Sequence, residues 1–312
     1  MYRSLGLSKQ SVHKSLEREN KSRDEQMQLI RIIYDIRQDH PTMGMRDMYY
    51  KIGPTSMGRD KFESICIEHK LKSKTSKNYS KTTDSAGVIR FDNLLEQCNI
   101  KDIDQVWQSD ISYFELNGRF YYLTFILDSY SRRILGHQTS KRLLTEHTTL
   151  PCLLMAIKTR GVENLEGLIF HSDGGGQYYD QAFLKLTGKY KMNNSMCEYP
   201  WENGKAERIN GVIKNNYLKH RNIKTFEDLV KEVDRSVSLY NHEKPHIKLR
   251  RKTPITFEKY LATLHQQTMP KMTESFDAKQ QINGASSPIN HEQTKPQNLD
   301  VFSAINSELS DN

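Results

Sequence analysis

The chain has 312 residues, 36% of them hydrophobic and 27% charged, a composition that allows about two folded domains with polar connectors. Its formal charge of +8 and pI near 9.1 exclude an acidic solvating protein and favour a polyanionic partner, of which nucleic acid is the commonest. The four cysteines, Cys66, Cys98, Cys152 and Cys197, form no CxxC pair, and no apolar run approaches the roughly 18 residues of a membrane span, so free thiols in a cytoplasmic protein without a membrane partner are expected.

At the N-terminus, Gly6 offers a turn and Ser8 a cap for a short helix carrying Val12 and Leu16. The pattern is similar to the second half of a helix-turn-helix whose first helix would lie before Met1, as in a reading frame that starts late within a larger product; a simple N-terminal arm is the other reading. Ser22-Arg23-Asp24-Glu25 reads as a capping box for a helix with Leu29, Ile32, Ile33 and Ile36 on its apolar face, ended by Asp39-His40-Pro41. Met45, Met48, Tyr49 and Ile52 predict a second short helix stopped by Gly53-Pro54. Phe62, Ile65 and Cys66 predict a third, capped by Ser56. Arg59 and Lys61 then fall in the first turn of that helix, where a recognition helix meets a major groove. The segment 1–70 is therefore expected to be a small all-α, helix-turn-helix-like DNA-binding region. The lysine-rich segment 71–100 reads as a flexible linker able to lie along phosphates.

From about 103 the pattern turns to strands: Gln105 to Phe114, Arg119 to Leu127 across an Asn117-Gly118 hairpin turn, and Arg133 to His137 after Ser129-Tyr130-Ser131. A helix with Leu150, Leu153, Leu154 and Ile157 as its buried face follows, then a strand from Leu168 to Phe170, then, after Pro200 and Trp201, a helix running through about Leu218. Three strands, helix, strand, helix is a mixed α/β order of the ribonuclease H kind. Asp110 lies in the first strand, and Asp173 ends the fourth ahead of three glycines that let the backbone turn sharply. On the last helix Asn203, Glu207, Asn210 and Lys214 share a polar face opposite Ile209, Val212, Ile213 and Tyr217, so Glu207 can look toward both aspartates. Three converging carboxylates repel one another unless a cation joins them, which makes a hard divalent metal their natural partner.

Several ordered motifs, Trp107-Gln108-Ser109-Asp110-Ile111-Ser112-Tyr113, Leu127 to Arg132, His171 to Tyr178, Glu202 to Arg208, and Tyr240 to His246 followed by Thr253-Pro254, together resemble one family. It is the bacterial insertion-sequence transposases with a retroviral-integrase-type catalytic core, often encoded as the second of two overlapping reading frames. The resemblance covers roughly residues 22 to 262. It implies a ribonuclease H-like mixed five-stranded sheet with flanking helices over 101–262; beyond it, 263–312 is rich in Gln, Asn, Ser and Pro without periodicity and is expected to be a disordered polar tail. It implies further that Asp110, Asp173 and Glu207 are an acidic triad of the DDE class, holding two Mg²⁺ ions with Mn²⁺ able to substitute. The 33 residues between Asp173 and Glu207 fall slightly short of the family's usual gap, with the shortfall assigned to the loop from Cys197 to Pro200. Glu202, at the helix start, is the second candidate for the third acid.

The activity implied is Mg-dependent strand cleavage and strand transfer on double-stranded DNA, element ends and target, by a homo-oligomer acting alone or fused to the upstream-frame product. Lys205, Arg208 and Lys214 are candidates for holding phosphates beside the site. His171 reads as a packing or hydrogen-bonding neighbour rather than a general base, and Trp107 and Trp201 as core or loop anchors. Two rival readings are a sequence-specific DNA-binding regulator with an inactive core and a stand-alone ribonuclease. Loss of an acid would mark the first, and none is missing; the second would not need the helical region or the basic linker.

Overall fold

A computed structural model describes residues 6, 8–73, 91–96, 98–161, 165–197 and 199–268. The greater part of the expected linker, 74–90, and the polar tail from 269 onward lie outside the described residues. Helix α1 (Lys9–Asp39) begins where expected, with the Ser8 side chain accepting from the Ser11 N–H, but it does not stop and restart at Ser22. It runs unbroken for 31 residues, because no glycine or proline interrupts its lysines, glutamates, arginines and glutamines. Its buried residues are Leu29, Ile30 and Ile33, with Ile36 half-buried, whereas Ile32 faces solvent. Helix α2 (Met45–Ile52) ends at left-handed Gly53 as expected. Helix α3 (Arg59–Glu68) is capped by Gly58, not Ser56. Ile33, Met48 and Phe62, all fully buried, centre the small core shared by the three helices.

Strand β1 (Val106–Leu116) pairs antiparallel with β2 (Arg119–Asp128), which pairs antiparallel with β3 (Ile134–Ser140). β4 (Ile169–Ser172) adds to the other edge of β1 in parallel, and β5 (Asn193–Met196) adds to β4 in parallel. The sheet order is therefore β3-β2-β1-β4-β5, a ribonuclease H-like mixed five-stranded sheet. Alternation along β2 assigns its two faces. Leu123, Phe125 and Leu127 join one apolar cluster and Ile126 joins the other.

One face is covered by α4 (Thr149–Arg160) and α5 (Gln181–Lys189), the other by α6 (Gly204–Val212) and α7 (Phe226–Glu243). Helix α4 approaches β3 closely because Gly136 has no side chain: a Cβ there would lie 2.2 Å from the Cys152 carbonyl oxygen. α6 continues through a π turn, Ile213–Tyr217, and a single 3₁₀ turn, Leu218–His220, which extends the helical path to the expected end. The last described helix, α8 (Pro254–Thr268), runs past the expected domain end at 262. Its Glu258 pairs with Arg133 (2.7 Å) and with Arg160 (2.9 Å), and Arg160 also meets Asp104 (2.6 Å) and the fully buried Asp128 (3.4 Å).

The described residues up to Thr268 belong to one unit. Within it, buried His40 at the end of α1 stands between the Tyr217 hydroxyl (3.2 Å) and the Glu243 carboxylate (3.1 Å), which also binds Lys51 (2.6 Å). Arg221 donates to the carbonyls of Gln38 (2.6 Å) and Asp39 (3.0 Å). Among the described residues no helix is long and apolar enough to cross a membrane.

Candidate active site

The parallel register of β1 and β4 pairs Val106 with Ile169, Trp107 with Phe170 and Gln108 with His171. Continued two residues along both strands, it sets Asp110 beside Asp173. Asp173 lies just past the strand end, where its carboxylate accepts from the Gly175 N–H at 3.1 Å. Gly174 turns the chain away in the left-handed region (φ 78°), and a Cβ there would strike the Met196 methyl at 2.2 Å. Tyr113, Gln177 and Asp173 help line a shallow cavity of about 150 Å³ beside the pair. Asp110 is half-buried. Loss of solvation, and then the neighbouring Asp173 charge, push its carboxyl up to about 7. The Asp173 carboxyl is raised by loss of solvation as well, with the Gly175 N–H hydrogen bond offsetting part of the effect.

The polar face expected on the catalytic-helix segment closes onto β1 residue by residue. The Asn203 amide, buried, donates to the Ser109 carbonyl (2.9 Å), and the Asn210 amide donates to Asp110 Oδ2 (2.7 Å) while accepting from the Ser112 hydroxyl (2.9 Å). Lys214 Nζ reaches the Tyr113 carbonyl (3.4 Å) and lies 5.8 Å from its ring centroid. These contacts follow the helix repeat along a strand and fix the rotation of α6. Glu207, one turn before Asn210, is exposed and acts on Asp110 through its charge. Among the described residues, no group of three or more His, Cys, Asp and Glu side chains is set to hold a metal ion. The Asp110–Asp173 pair nonetheless has the donor chemistry a divalent cation needs: two oxygen ligands whose mutual repulsion a cation would relieve. The other candidate acid, Glu202, is engaged at the helix start, where its carboxylate accepts from the Tyr199 N–H (3.1 Å).

Asn203 and Asn210 were assigned no role by sequence reasoning. The signal that marks Asn210 is its place three residues after Glu207 on the polar face. The hydrogen bond between Ser109 Oγ and buried Tyr178 Oη (2.8 Å), which ties β1 to the glycine turn, left no trace in the motif spacing. His171 is buried, bonds to Ser195 Oγ (2.9 Å), and is pushed by burial to about 4, so it is neutral at physiological pH. Trp107 anchors the core and donates to Asp104 (2.8 Å). Trp201 does not anchor the loop by burial: it is 73% exposed and stacks on Tyr199, with ring centroids 4.6 Å apart. Cys66, Cys152 and Cys197 are buried free thiols and Cys98 is half-buried.

The cations are dispersed. Lys205 is half-buried and donates to the Ser129 carbonyl (3.2 Å), Arg208 is exposed, and Lys214 rests against β1. Arg59 and Lys61 are exposed on α3, well separated in sequence from the carboxyls, and Arg59 pairs with Asp60 (3.0 Å) and Glu63 (3.8 Å).

Two Integrase core domain models match residues 102–199 and 189–254, which together span the whole sheet and helices α4 to α7. A 31 kDa protein of insertion element IS600 from Shigella sonnei is 27% identical over 267 residues, covering 82% of this chain and 97% of that protein. The chain belongs to the insertion-sequence transposases with an integrase core. Membership carries an enzyme class, polynucleotidyl transfer of the DDE type, and a general role in DNA transposition. A putative transposase for IS986/IS6110 from Mycobacterium tuberculosis is 30% identical over 147 residues, 45% of this chain and about half (52%) of that protein's length. Among solved structures, the HTLV-2 integrase catalytic core domain in complex with magnesium aligns at 21% identity and a TM-score of 0.39, over 49% of this transposase and 95% of that chain.

Proposed function

We propose that this transposase cleaves and joins DNA at insertion-sequence ends, with Asp110, Asp173 and Glu207 as the residues that hold two Mg²⁺ ions, Mn²⁺ being able to substitute. The observation that carries this reading is the β1–β4 register, which brings Asp110 beside Asp173 and leaves two carboxyls in a crowded site. Bound divalent metal supplies Lewis-acid activation of the attacking oxygen and neutralises charge at the leaving 3′ oxygen. The chain's own residues orient that site. Asn210 holds one Asp110 oxygen, Asn203 locks the start of α6 to β1, and exposed Glu207 acts on Asp110 through its charge from the turn between them. Lys205, Arg208 and Lys214 hold phosphates along α6. Arg59 and Lys61 contact duplex DNA from α3.

In the reaction, water attacks a phosphodiester at the element end, its oxygen bonding to phosphorus as the 3′ oxygen departs and takes a proton. The 3′-hydroxyl so freed attacks phosphorus in another strand, exchanging one phosphodiester bond for another without a protein-bound intermediate. His171 is set apart from proton transfer by its full burial and by its Nδ1 bond to Ser195 Oγ. The acting species is a homo-oligomer on DNA, by itself or fused to the upstream-frame product.

The test is nicking and strand joining of duplex carrying the element's terminal repeat, with Mg²⁺ present. Asp110→Asn, Asp173→Asn and Glu207→Gln are each expected to lower product formation by ~10⁴-fold, as for groups that act as a unit. Equal activity of Asp110→Asn and the parent chain would remove the catalytic reading and leave a DNA-binding regulator. Loss of activity in Glu202→Gln with Glu207→Gln active would move the third acid to Glu202.

A further inference from the structure

Lys205 and Glu207 are two positions apart on α6 and so project to opposite sides of it. On the Lys205 side a cleft of about 420 Å³ opens between the turn after β2, the start of α6, the single turn Ile247–Leu249 and α8. Arg132, Lys205, Lys248 and Arg250 line it together with Tyr130 and Tyr260, and among the described residues no acidic side chain does. The nearby acids are engaged elsewhere. Asp128 accepts from the N–H groups of Tyr130 (3.0 Å) and Ser131 (2.7 Å) and faces Arg160, while Glu258 binds Arg133, Arg160 and Ser131. The Lys205 ammonium is pushed down by burial and then by the Arg132 charge, with Lys248 adding to the effect and Asp128 offsetting part of it. A gathering of like charges in a concave site is relieved by an anion.

The aromatic components are held in place. Tyr130 packs on Phe257 of α8, with centroids 5.9 Å apart, and the Arg250 guanidinium donates to the Tyr260 hydroxyl at 2.8 Å. Aromatic rings and guanidinium planes both stack on bases, and clustered cations take the phosphate. The volume suits a single small ligand, and a base still paired within a duplex is too bulky to enter. The integrase core match ends at residue 254, so α8 supplies a wall that lies outside the matched core.

We propose that this cleft holds one unpaired nucleotide of the DNA substrate, with its phosphate among Arg132, Lys205 and Lys248 and its base against Tyr260 and Arg250. The assignment rests on DNA being the substrate, as proposed above, and adds a site for a single strand on the far side of α6 from the carboxyls.

Binding of labelled DNA to the full chain, read by fluorescence anisotropy in EDTA, tests it with two probes, a blunt duplex and the same duplex with a short single-stranded extension. The parent chain is expected to prefer the extended probe. Tyr260→Leu should lose about tenfold on the extended probe alone, and Tyr260→Phe, which keeps the ring, should retain the preference. Lys248→Ala should weaken the extended probe and lower its salt dependence by about one phosphate contact. Equal binding of both probes by the parent chain overturns the proposal. So does equal weakening of both probes in the variants, which would mark a patch for duplex backbone. Because the probes are read without metal, a failed cleavage assay and a lost extension preference are separate results.

Discussion

Asn210 is the residue through which the helix and the strand communicate at the candidate site. Its amide donates 2.7 Å to Asp110 Oδ2, and that bond favours the charged carboxylate against the loss of solvation and the Asp173 charge that drive it up to about 7. Removing the donor in Asn210→Ala should raise the Asp110 carboxyl further. A group raised in this way is protonated below its value and competent to bind a cation above it. The acidic limb of the cleavage profile should therefore move to higher pH, and more Mg²⁺ should be needed at pH 7. The measurement is the pH dependence of nicking at two Mg²⁺ levels; an unmoved acidic limb would deny Asn210 its positioning role. The two aspartates were legible in the sequence because each ends or sits within an apolar run and one is followed by glycines. The amide was not, since its role depends on which strand the helix lies against. Trp201, expected as a core or loop anchor, stays out of the core: its ring stacks on Tyr199 and faces solvent.

Among the elements, those with an unambiguous local period were readable and those defined by a neighbour were not. The Asn117-Gly118 hairpin, the three antiparallel strands and α4 stand at the expected positions. β5 had no assigned residues, because Asn193-Asn194-Ser195-Met196 carries no apolar run and becomes a strand by pairing with the free edge of β4. The capping box at Ser22 failed for the opposite reason: a good local signal inside a helix that nothing interrupts. Gly136 exemplifies what pairing information adds. Its position within β3 is ordinary by sequence, yet α4 passes so near that Gly136→Ala should force the helix outward and cost about 1–3 kcal/mol or more by overpacking. Thermal unfolding measures this, with a lowered Tm expected and an unchanged Tm contradicting the close approach.

Across the whole molecule, the helical N-terminal region is joined to the catalytic fold through buried His40, whose ring contacts Tyr217 and Glu243. Burial lowers the His40 value despite the Glu243 hydrogen bond, so the native fold favours the neutral ring. Its contribution is present above the ordinary histidine value of about 6.5 and is lost as pH falls through the lowered native value. Hydrogen exchange at the end of α1 should accordingly rise on acidification, and His40→Gln should flatten that response; a flat response in the parent chain would remove His40 as its source. No sequence motif announced this junction, since its partners lie some two hundred positions apart in the chain. A different long-range link, the one around Arg160, bears on how copies of such a gene decay. Its guanidinium is nearly buried and answers to Glu258 of α8 as well as to Asp104 and Asp128. Every acid proposed for catalysis is encoded upstream, yet a frameshift or stop codon between residues 208 and 258 takes away one of the three carboxylates that face that cation and leaves only Asp104 and Asp128 to compensate it. A copy eroded from its 3′ end is therefore expected to fold less stably while its catalytic motifs still read as intact.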